Sequence, residues 1–66
     1  MKHFTKRELN QIVTVTCYGK TEPMTREKAI DEFYTGMMCC EGSEGERYKS
    51  IYCQLMNGDT NVSDEY

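Results

Sequence analysis

Tryptophan is absent from this sequence, proline and histidine each occur once, and leucine is found only at Leu9 and Leu55. The bulk of a hydrophobic core must therefore come from tyrosine, phenylalanine, methionine and β-branched residues. A chain of 66 residues buries only about 60% of the surface that it exposes when unfolded, so its stability margin is small. We expect a single small domain that would gain stability by association with a partner.

Long apolar segments are also missing. No stretch approaches the ~18 consecutive apolar residues of a membrane span. The first ten residues are charged and lack the apolar segment of a secretory signal. We therefore expect a cytoplasmic protein without a membrane partner.

The cysteines do not follow the spacing of a metal site. Structural zinc sites usually pair cysteines two to four residues apart and repeat the pair. Here two of the thiols are adjacent and two are isolated: Cys17, Cys39, Cys40 and Cys53. In a reducing cytoplasm we expect free thiols that act as small apolar side chains, with no metal and no cofactor.

Groups that would support catalysis are few. A cysteine nucleophile needs a neighbouring base, and the one histidine, His3, lies in a charged leader. Paired carboxylates need an enclosed pocket to separate their pKa values, and so small a domain leaves little room for one. The Gly42–Gly45 segment lacks the lysine and glycine spacing of a phosphate-binding loop. The sequence predicts no catalytic residue and argues against an enzyme.

Residues 1–10 form a basic leader with one local signal. Thr5 followed by Glu8 matches a helix N-cap whose partner glutamate stands three residues on. A helix that starts there would be short, and short helices are marginal alone. A short helix and a frayed leader are both left open.

Residues 12–18 are dense in β-branched and aromatic side chains and alternate as a half-buried strand does. Gly19-Lys20 predicts a type II′ turn, which would place Val15 opposite Met24 and Thr16 opposite Pro23. Residues 21–24 would then return as a strand. Since Pro23 cannot donate a hydrogen bond to a neighbouring strand, we expect this strand to be short and at an edge.

Two amphipathic helices are predicted between residues 25 and 58. Thr25 and Ser43 are the expected N-caps, the latter with Glu46 as its partner, and Asn57-Gly58 is the expected stop. Gly36 weakens the first helix by about 1 kcal/mol relative to alanine. The apolar stripes recur at three-and-four spacing: Ala29, Ile30, Phe33, Tyr34, Met37 and Met38, then Tyr48, Ile51, Tyr52, Leu55 and Met56.

These elements predict an α+β fold in which a small β-hairpin packs on an antiparallel two-helix hairpin. Residues 11–58 would form the domain, and residues 59–66 an acidic tail. A two-stranded sheet is marginal in water, so a partner, a second copy or a third strand should complete it, the chain's candidates being the leader and residues 60–63. The expected core is Val13, Val15, Cys17, Ile30, Phe33, Met37, Ile51, Tyr52 and Leu55.

Two stretches carry a resemblance: VTVTCYGKTEPMTREKAIDEF from Val13 to Phe33, and EGSEGERYKSIYCQL from Glu41 to Leu55. The chain resembles small uncharacterised proteins of conjugative and other mobile elements in gut Firmicutes. The resemblance covers roughly half of the chain and carries no assigned activity, so it implies no functional residue. It implies a bacterial cytoplasmic accessory protein.

Charge is distributed unevenly along the chain. Residues 1–28 hold six basic and three acidic residues, for a net charge of +3, and the remainder nets −6. The basic part could contact the phosphates of a nucleic acid, although the overall charge of −3 opposes this. An accessory nucleic-acid-binding protein is therefore the alternative function, with Lys2, Lys6, Arg7, Lys20 and Arg26 as its candidate contacts.

The leading hypothesis is a small interaction or regulatory module that binds a protein partner or itself. Aromatic and methionine side chains are enriched at protein interfaces, and a core this small leaves some of them over. The candidate contacts are Tyr18, Tyr34, Met37, Tyr48 and Tyr52. An alternative of equal weight is that these tyrosines complete the core and keep their hydroxyls in water.

Overall fold

The computed structural model describes residues 4–64 and has an α+β fold. A three-stranded sheet in the order β2-β1-β3 packs against a pair of helices. Strand β2 is antiparallel to β1, and β3 is parallel to β1. The elements are α1 (Lys6–Leu9), β1 (Ile12–Cys17), β2 (Lys20–Thr25), α2 (Arg26–Cys39), α3 (Ser43–Met56) and β3 (Asn61–Ser63).

The hairpin turn lies one residue earlier than predicted. Cys17 pairs with Lys20, so the turn consists of Tyr18 and Gly19, with φ angles of 53° and 79°. Two positive φ angles are typical of a type I′ turn, not of the predicted type II′. Val15 therefore lies opposite Glu22 instead of Met24, and Thr16 lies opposite Thr21 instead of Pro23. The predicted register is wrong by two residues, a shift that leaves every side chain on its expected face.

Strand β2 is an edge strand, as predicted, but it is as long as β1. On β1, the Thr14 amide donates to Thr60 and the Thr16 carbonyl accepts from Asp64, so these two residues bond towards β3. The alternate residues of β1 therefore bond β2, and Pro23, opposite Thr14, turns its backbone outward. The missing amide of Pro23 costs no internal hydrogen bond, and it leaves the outer edge of β2 a poor template for another strand.

A third strand from the same chain completes the sheet, which is one of the three predicted alternatives. Residues 61–63, within the segment predicted as an acidic tail, lie beside β1 with Val62 opposite Val15 and only 2% exposed. The prediction that residues 65 and 66 continue the tail lies outside the described residues. The second edge of β1 is therefore covered within the chain, which removes the main structural reason for strand addition there.

The outer edge of β3 is covered by a side chain. The Gln54 amide nitrogen donates to the Ser63 carbonyl at 2.8 Å, and its amide oxygen accepts from the Ser63 nitrogen at 3.2 Å. A side-chain amide thus makes the two hydrogen bonds that a neighbouring strand would make. Gln54 therefore protects the edge of the sheet opposite to that held by Pro23.

Most predicted helix boundaries are confirmed, with one exception. Thr5 and Glu8 form the capping box of α1, Thr25 caps α2, and Gly58 ends α3 with a φ of 101°. Ser43 is not the N-cap of α3, which is Gly42 with a φ of 71° and no side-chain cap bond. A positive φ angle favours glycine, and glycine is the residue that stands at this capping position.

Helices α2 and α3 pack antiparallel, as predicted, and glycines lie at two of their close contacts. A Cβ atom at Gly36 would lie 2.9 Å from the ring of Tyr48, and one at Gly45 would lie 2.5 Å from the Cys40 carbonyl oxygen. Gly36 is thus a packing position for Tyr48, which offsets its cost to the helix. Tyr34 meets Tyr52 further along the pair.

The predicted core is largely confirmed. Five of its residues are buried, namely Val13, Val15, Phe33, Ile51 and Leu55, and three pack against them half-buried, namely Cys17, Ile30 and Tyr52. The ninth, Met37, is half-buried but does not belong to the core cluster. The prediction omitted Ala29 and Val62, which are both buried. It also omitted Arg26, which is charged.

Arg26, the first residue of α2, is only 1% exposed. Its guanidinium donates to the carbonyl oxygens of Leu55 at 2.8 Å, Asp59 at 3.1 Å and Gly58 at 3.2 Å, and to the side chain of Gln11 at 3.0 Å. The Leu55 carbonyl belongs to the last turn of α3 and the other two follow the helix, where its dipole favours a cation. Arg26 therefore fixes the end of α3 to the start of α2.

We expect Arg26→Met to destabilise the fold by about 3 kcal/mol, because it removes the hydrogen bonds that the buried guanidinium makes to three carbonyl oxygens and to Gln11. Lys28→Met, an exposed neighbour on the same helix, should change the free energy of unfolding by less than about 0.5 kcal/mol. Urea denaturation followed by circular dichroism measures both. Equal effects of the two substitutions would contradict the role assigned to Arg26.

We expect Gln54→Leu to destabilise the fold by about 1 to 2 kcal/mol and to promote self-association, since it exposes the amide and carbonyl of Ser63 at a sheet edge. Sedimentation velocity at several concentrations measures the association. Cys53→Leu is the matched control, because Cys53 is exposed on the same helix. A Gln54→Leu protein that remains monomeric at all concentrations would contradict the edge-protecting role.

Candidate protein-binding surface

The five side chains predicted to bind a partner do not form one patch. Tyr18 and Tyr48 lie together, with ring centroids 6.5 Å apart, and Tyr48 also contacts Phe33 at 5.8 Å. Tyr34 and Tyr52 form a second pair, 5.5 Å apart, on the two packed helices. Met37 is half-buried.

The first group belongs to a network of internal contacts at the hairpin turn. The Tyr18 hydroxyl donates to Glu44 at 3.0 Å, and the Arg47 guanidinium lies 4.7 Å from the Tyr18 ring centroid. Asp64, whose side chain is 1% exposed, accepts from Arg47 at 2.7 Å and from the Tyr18 amide at 3.0 Å. These contacts fasten the turn to α3 and to the end of β3, so Tyr18 serves the fold although it is 51% exposed, and Tyr48 packs against the core.

The environment of this network disfavours a reactive thiolate. The hydrogen bond from Arg47, followed by that from the Tyr18 amide, lowers the pKa of Asp64. Burial, followed by the charge of Asp64, raises the pKa of the Cys17 thiol. Burial, followed by the charge of Glu44, likewise raises the pKa of Cys40. A nucleophilic cysteine requires the opposite shift.

The second group is accessible at Tyr34, whereas Tyr52 is half-buried against the core. Tyr34 is 47% exposed and Met38, four residues later on α2, is 67% exposed. Residues four apart lie on the same helix face, and Tyr52 of α3 adjoins Tyr34. We call Tyr34, Met38 and Tyr52 the tyrosine–methionine surface. Met38 was recognised in the sequence as part of the apolar stripe but was not predicted as a contact.

An open groove of about 530 Å³ adjoins this surface at the start of α2. Tyr34 belongs to both the groove and the tyrosine–methionine surface. The other residues that line the groove are Leu9, Thr25, Glu27, Lys28, Ile30 and Asp31. The lining of the groove thus combines apolar and charged side chains.

The predicted nucleic-acid contacts do not come together. Arg26 is wrong as a candidate, because its guanidinium is buried and bonded within the fold. Lys6 and Arg7 are exposed on α1, before β1 begins, whereas Lys20 pairs with Cys17 at its far end. A six-residue strand is about 17 Å long, so these charges do not share one patch. The candidate Lys2 lies outside the described residues.

Residues 4–64 offer no group of three or more histidine, cysteine, aspartate or glutamate side chains that could hold a metal ion. Within the same residues, no helix has the length and apolar character needed to cross a membrane. No family model, curated protein or solved structure matches this chain. The proposed function therefore rests on the geometry of the molecule.

We expect Asp64→Asn to destabilise the fold at pH 7 by about 1 to 3 kcal/mol, because it removes a charged acceptor from a buried hydrogen-bonded pair. The pKa of Asp64 is lowered in the folded state, so its stabilising effect is present above the unfolded value of about 3.9 and is lost as the pH falls through the folded value.

Urea denaturation between pH 7 and pH 2.5 measures this dependence. The difference in stability between the native protein and Asp64→Asn should shrink as the solution is acidified. Asp31→Asn, which changes an exposed carboxylate, is the control and should have a small effect throughout. A difference that stays constant down to the lowest pH would contradict the stabilising ion pair.

Proposed function

We propose that this chain is a small non-enzymatic module of the cytoplasm that binds a protein partner through the tyrosine–methionine surface. The observation that carries the proposal is the exposure of Tyr34 and Met38 side by side on α2. Aromatic and methionine side chains are enriched in protein interfaces relative to the rest of the surface.

The core does not need these two side chains. Its interior is filled by aliphatic residues and Phe33, and Tyr48 packs against it. The alternative that the tyrosines complete the core therefore suits Tyr48 better than Tyr34. Burying a side chain of this size contributes about 1.5 to 3 kcal/mol, so a partner that covers Tyr34 and Met38 would gain substantial binding free energy.

Recognition through a helix face also agrees with the state of the sheet edges. Pro23 blunts the outer edge of β2, and Gln54 occupies the backbone groups of Ser63 in β3. A partner strand would find few free backbone groups at either edge. The exposed side chains of α2 are the better contact.

Several observations support this proposal over its alternatives. The burial of Arg26 and the separation of Lys20 from Lys6 and Arg7 leave a nucleic-acid interface without a centre. The raised pKa values of Cys17 and Cys40 oppose a thiol enzyme. A role in a conjugative or other mobile element stays a prediction from the resemblance. The identity of the neighbouring genes would test it.

Site-specific photo-crosslinking tests the proposal. We expect a photoreactive residue at Met38 to form a discrete adduct with a partner in the cell, and the same residue at Thr21, on the open face of the sheet, to form none. The partner, once identified and purified, should bind the native chain. Met38→Lys should weaken this binding at least about tenfold while changing stability by less than about 0.5 kcal/mol.

Thr21→Lys is the matched control for the binding measurement, since Thr21 is exposed on the opposite layer. It adds the same charge without touching the tyrosine–methionine surface. Equal crosslinking from both positions, or equal binding by both lysine variants, would contradict the proposal. An adduct with the mass of two chains would identify the partner as a second copy.

A further inference from the structure

The groove beside the tyrosine–methionine surface has the composition of a site for one side chain of a partner. Leu9 from α1 and Ile30 and Tyr34 from α2 supply apolar walls. At about 530 Å³ the groove can accept a leucine-sized side chain together with its backbone. It is open to solvent, which suits a segment of a larger partner better than an enclosed small molecule.

Two carboxylates at this groove have no counter-ion among residues 4–64. Glu27 and Asp31 are both exposed and stand four residues apart on α2. Like charges at this spacing repel each other across one helix turn. Residues 4–64 contain one ion pair, between Arg47 and Asp64, so neither groove carboxylate is paired. Lys28 also lines the groove but approaches neither within ion-pair distance.

A cation placed between Glu27 and Asp31 would remove this repulsion and gain two charge-assisted contacts. A carboxylate at the same place would meet like charges, which oppose association. The groove holds two carboxylates against one lysine, so its net negative charge favours a cationic occupant.

We propose that the groove binds a segment of the partner protein in which a leucine-sized apolar side chain is flanked by lysine or arginine. This inference rests on the proposed protein-binding function and specifies the partner's sequence. The apolar side chain contacts Leu9, Ile30 and Tyr34, and the cation lies between Glu27 and Asp31. Because Tyr34 also belongs to the tyrosine–methionine surface, the partner continues from the groove onto Met38.

Four blocked pentapeptides test the inference: Gly-Lys-Leu-Lys-Gly, the same peptide with glutamate for each lysine, the same with serine for leucine, and the peptide with both changes. Each is titrated to about 10 mM into the isotopically labelled chain, and the amide spectrum is followed by NMR. The lysine–leucine peptide should shift the amides around Leu9, Glu27, Ile30 and Asp31. The other three should bind at least about tenfold more weakly.

Charge variants of the chain sharpen the result. Glu27→Gln and Asp31→Asn should each weaken binding of the lysine–leucine peptide about three- to tenfold, an effect that added salt should reduce. Glu41→Gln is the control, since it removes the same charge at the other end of α2 and should leave the affinity unchanged. Equal binding of all four peptides, shifts outside the groove or no shifts would overturn the inference.

A second copy of the chain is the competing occupant, because its hairpin turn presents Tyr18 beside Lys20. Shifts at both the groove and this turn that grow with protein concentration in the absence of peptide would overturn the proposal of a different partner. Crosslinking at Met38 to another protein, together with no peptide binding, would overturn the groove inference and leave the proposed function intact.

Discussion

The buried guanidinium of Arg26 is the interaction on which the rest of the structure depends. Its hydrogen bonds join the start of α2 to carbonyl groups at and after the end of α3. A further hydrogen bond to the Gln11 side chain joins the segment before β1 to the same guanidinium. The centroid of the Phe4 ring lies 5.0 Å from the guanidinium carbon of Arg26. Since the chain runs from these carbonyls directly into β3, Arg26 also fixes the strand that completes the sheet. A buried cation that joins several parts of the chain by hydrogen bonds serves here where a larger protein would use a larger core.

The way the sheet is completed determines which surfaces remain for recognition. With β3 on one side of β1 and β2 on the other, both outer edges are protected, by Gln54 and by Pro23. Apolar exposure is then concentrated in large side chains that the core does not need, among them Tyr34 and Met38 on α2. The recognition that we propose, by a helix face with an acidic groove beside it, agrees with how this small fold protects its edges.

The sequence predicted what local rules control and missed what distant contacts decide. Capping at Thr5 and Thr25, the stop at Gly58 and the two helix stripes are local signals, and the structure confirms them. The hairpin register was missed because turns at residues 18–19 and 19–20 give the same inward and outward faces, and only contacts such as Tyr18 with Asp64 distinguish them. Arg26 was predicted as a nucleic-acid contact because nothing in the sequence near it signals its backbone acceptors, which lie 29 to 33 positions away. The candidate tyrosines were named, but their separation into a pair at the hairpin turn and a pair across the two helices depends on how α2 meets α3.

Native-state hydrogen exchange tests most directly the claim that Arg26 unites sheet and helices in one cooperative unit. The Thr14 amide, bonded to the Thr60 carbonyl, reports on the pairing of β1 with β3, Val15 reports on the pairing of β1 with β2, and Leu55 reports on α3. We predict that exchange of all three amides has the same opening free energy, which equals the free energy of global unfolding and does not depend on protein concentration. Exchange at Thr14 with an opening free energy more than about 2 kcal/mol below that of Leu55 would show that the third strand detaches on its own, and would contradict the account.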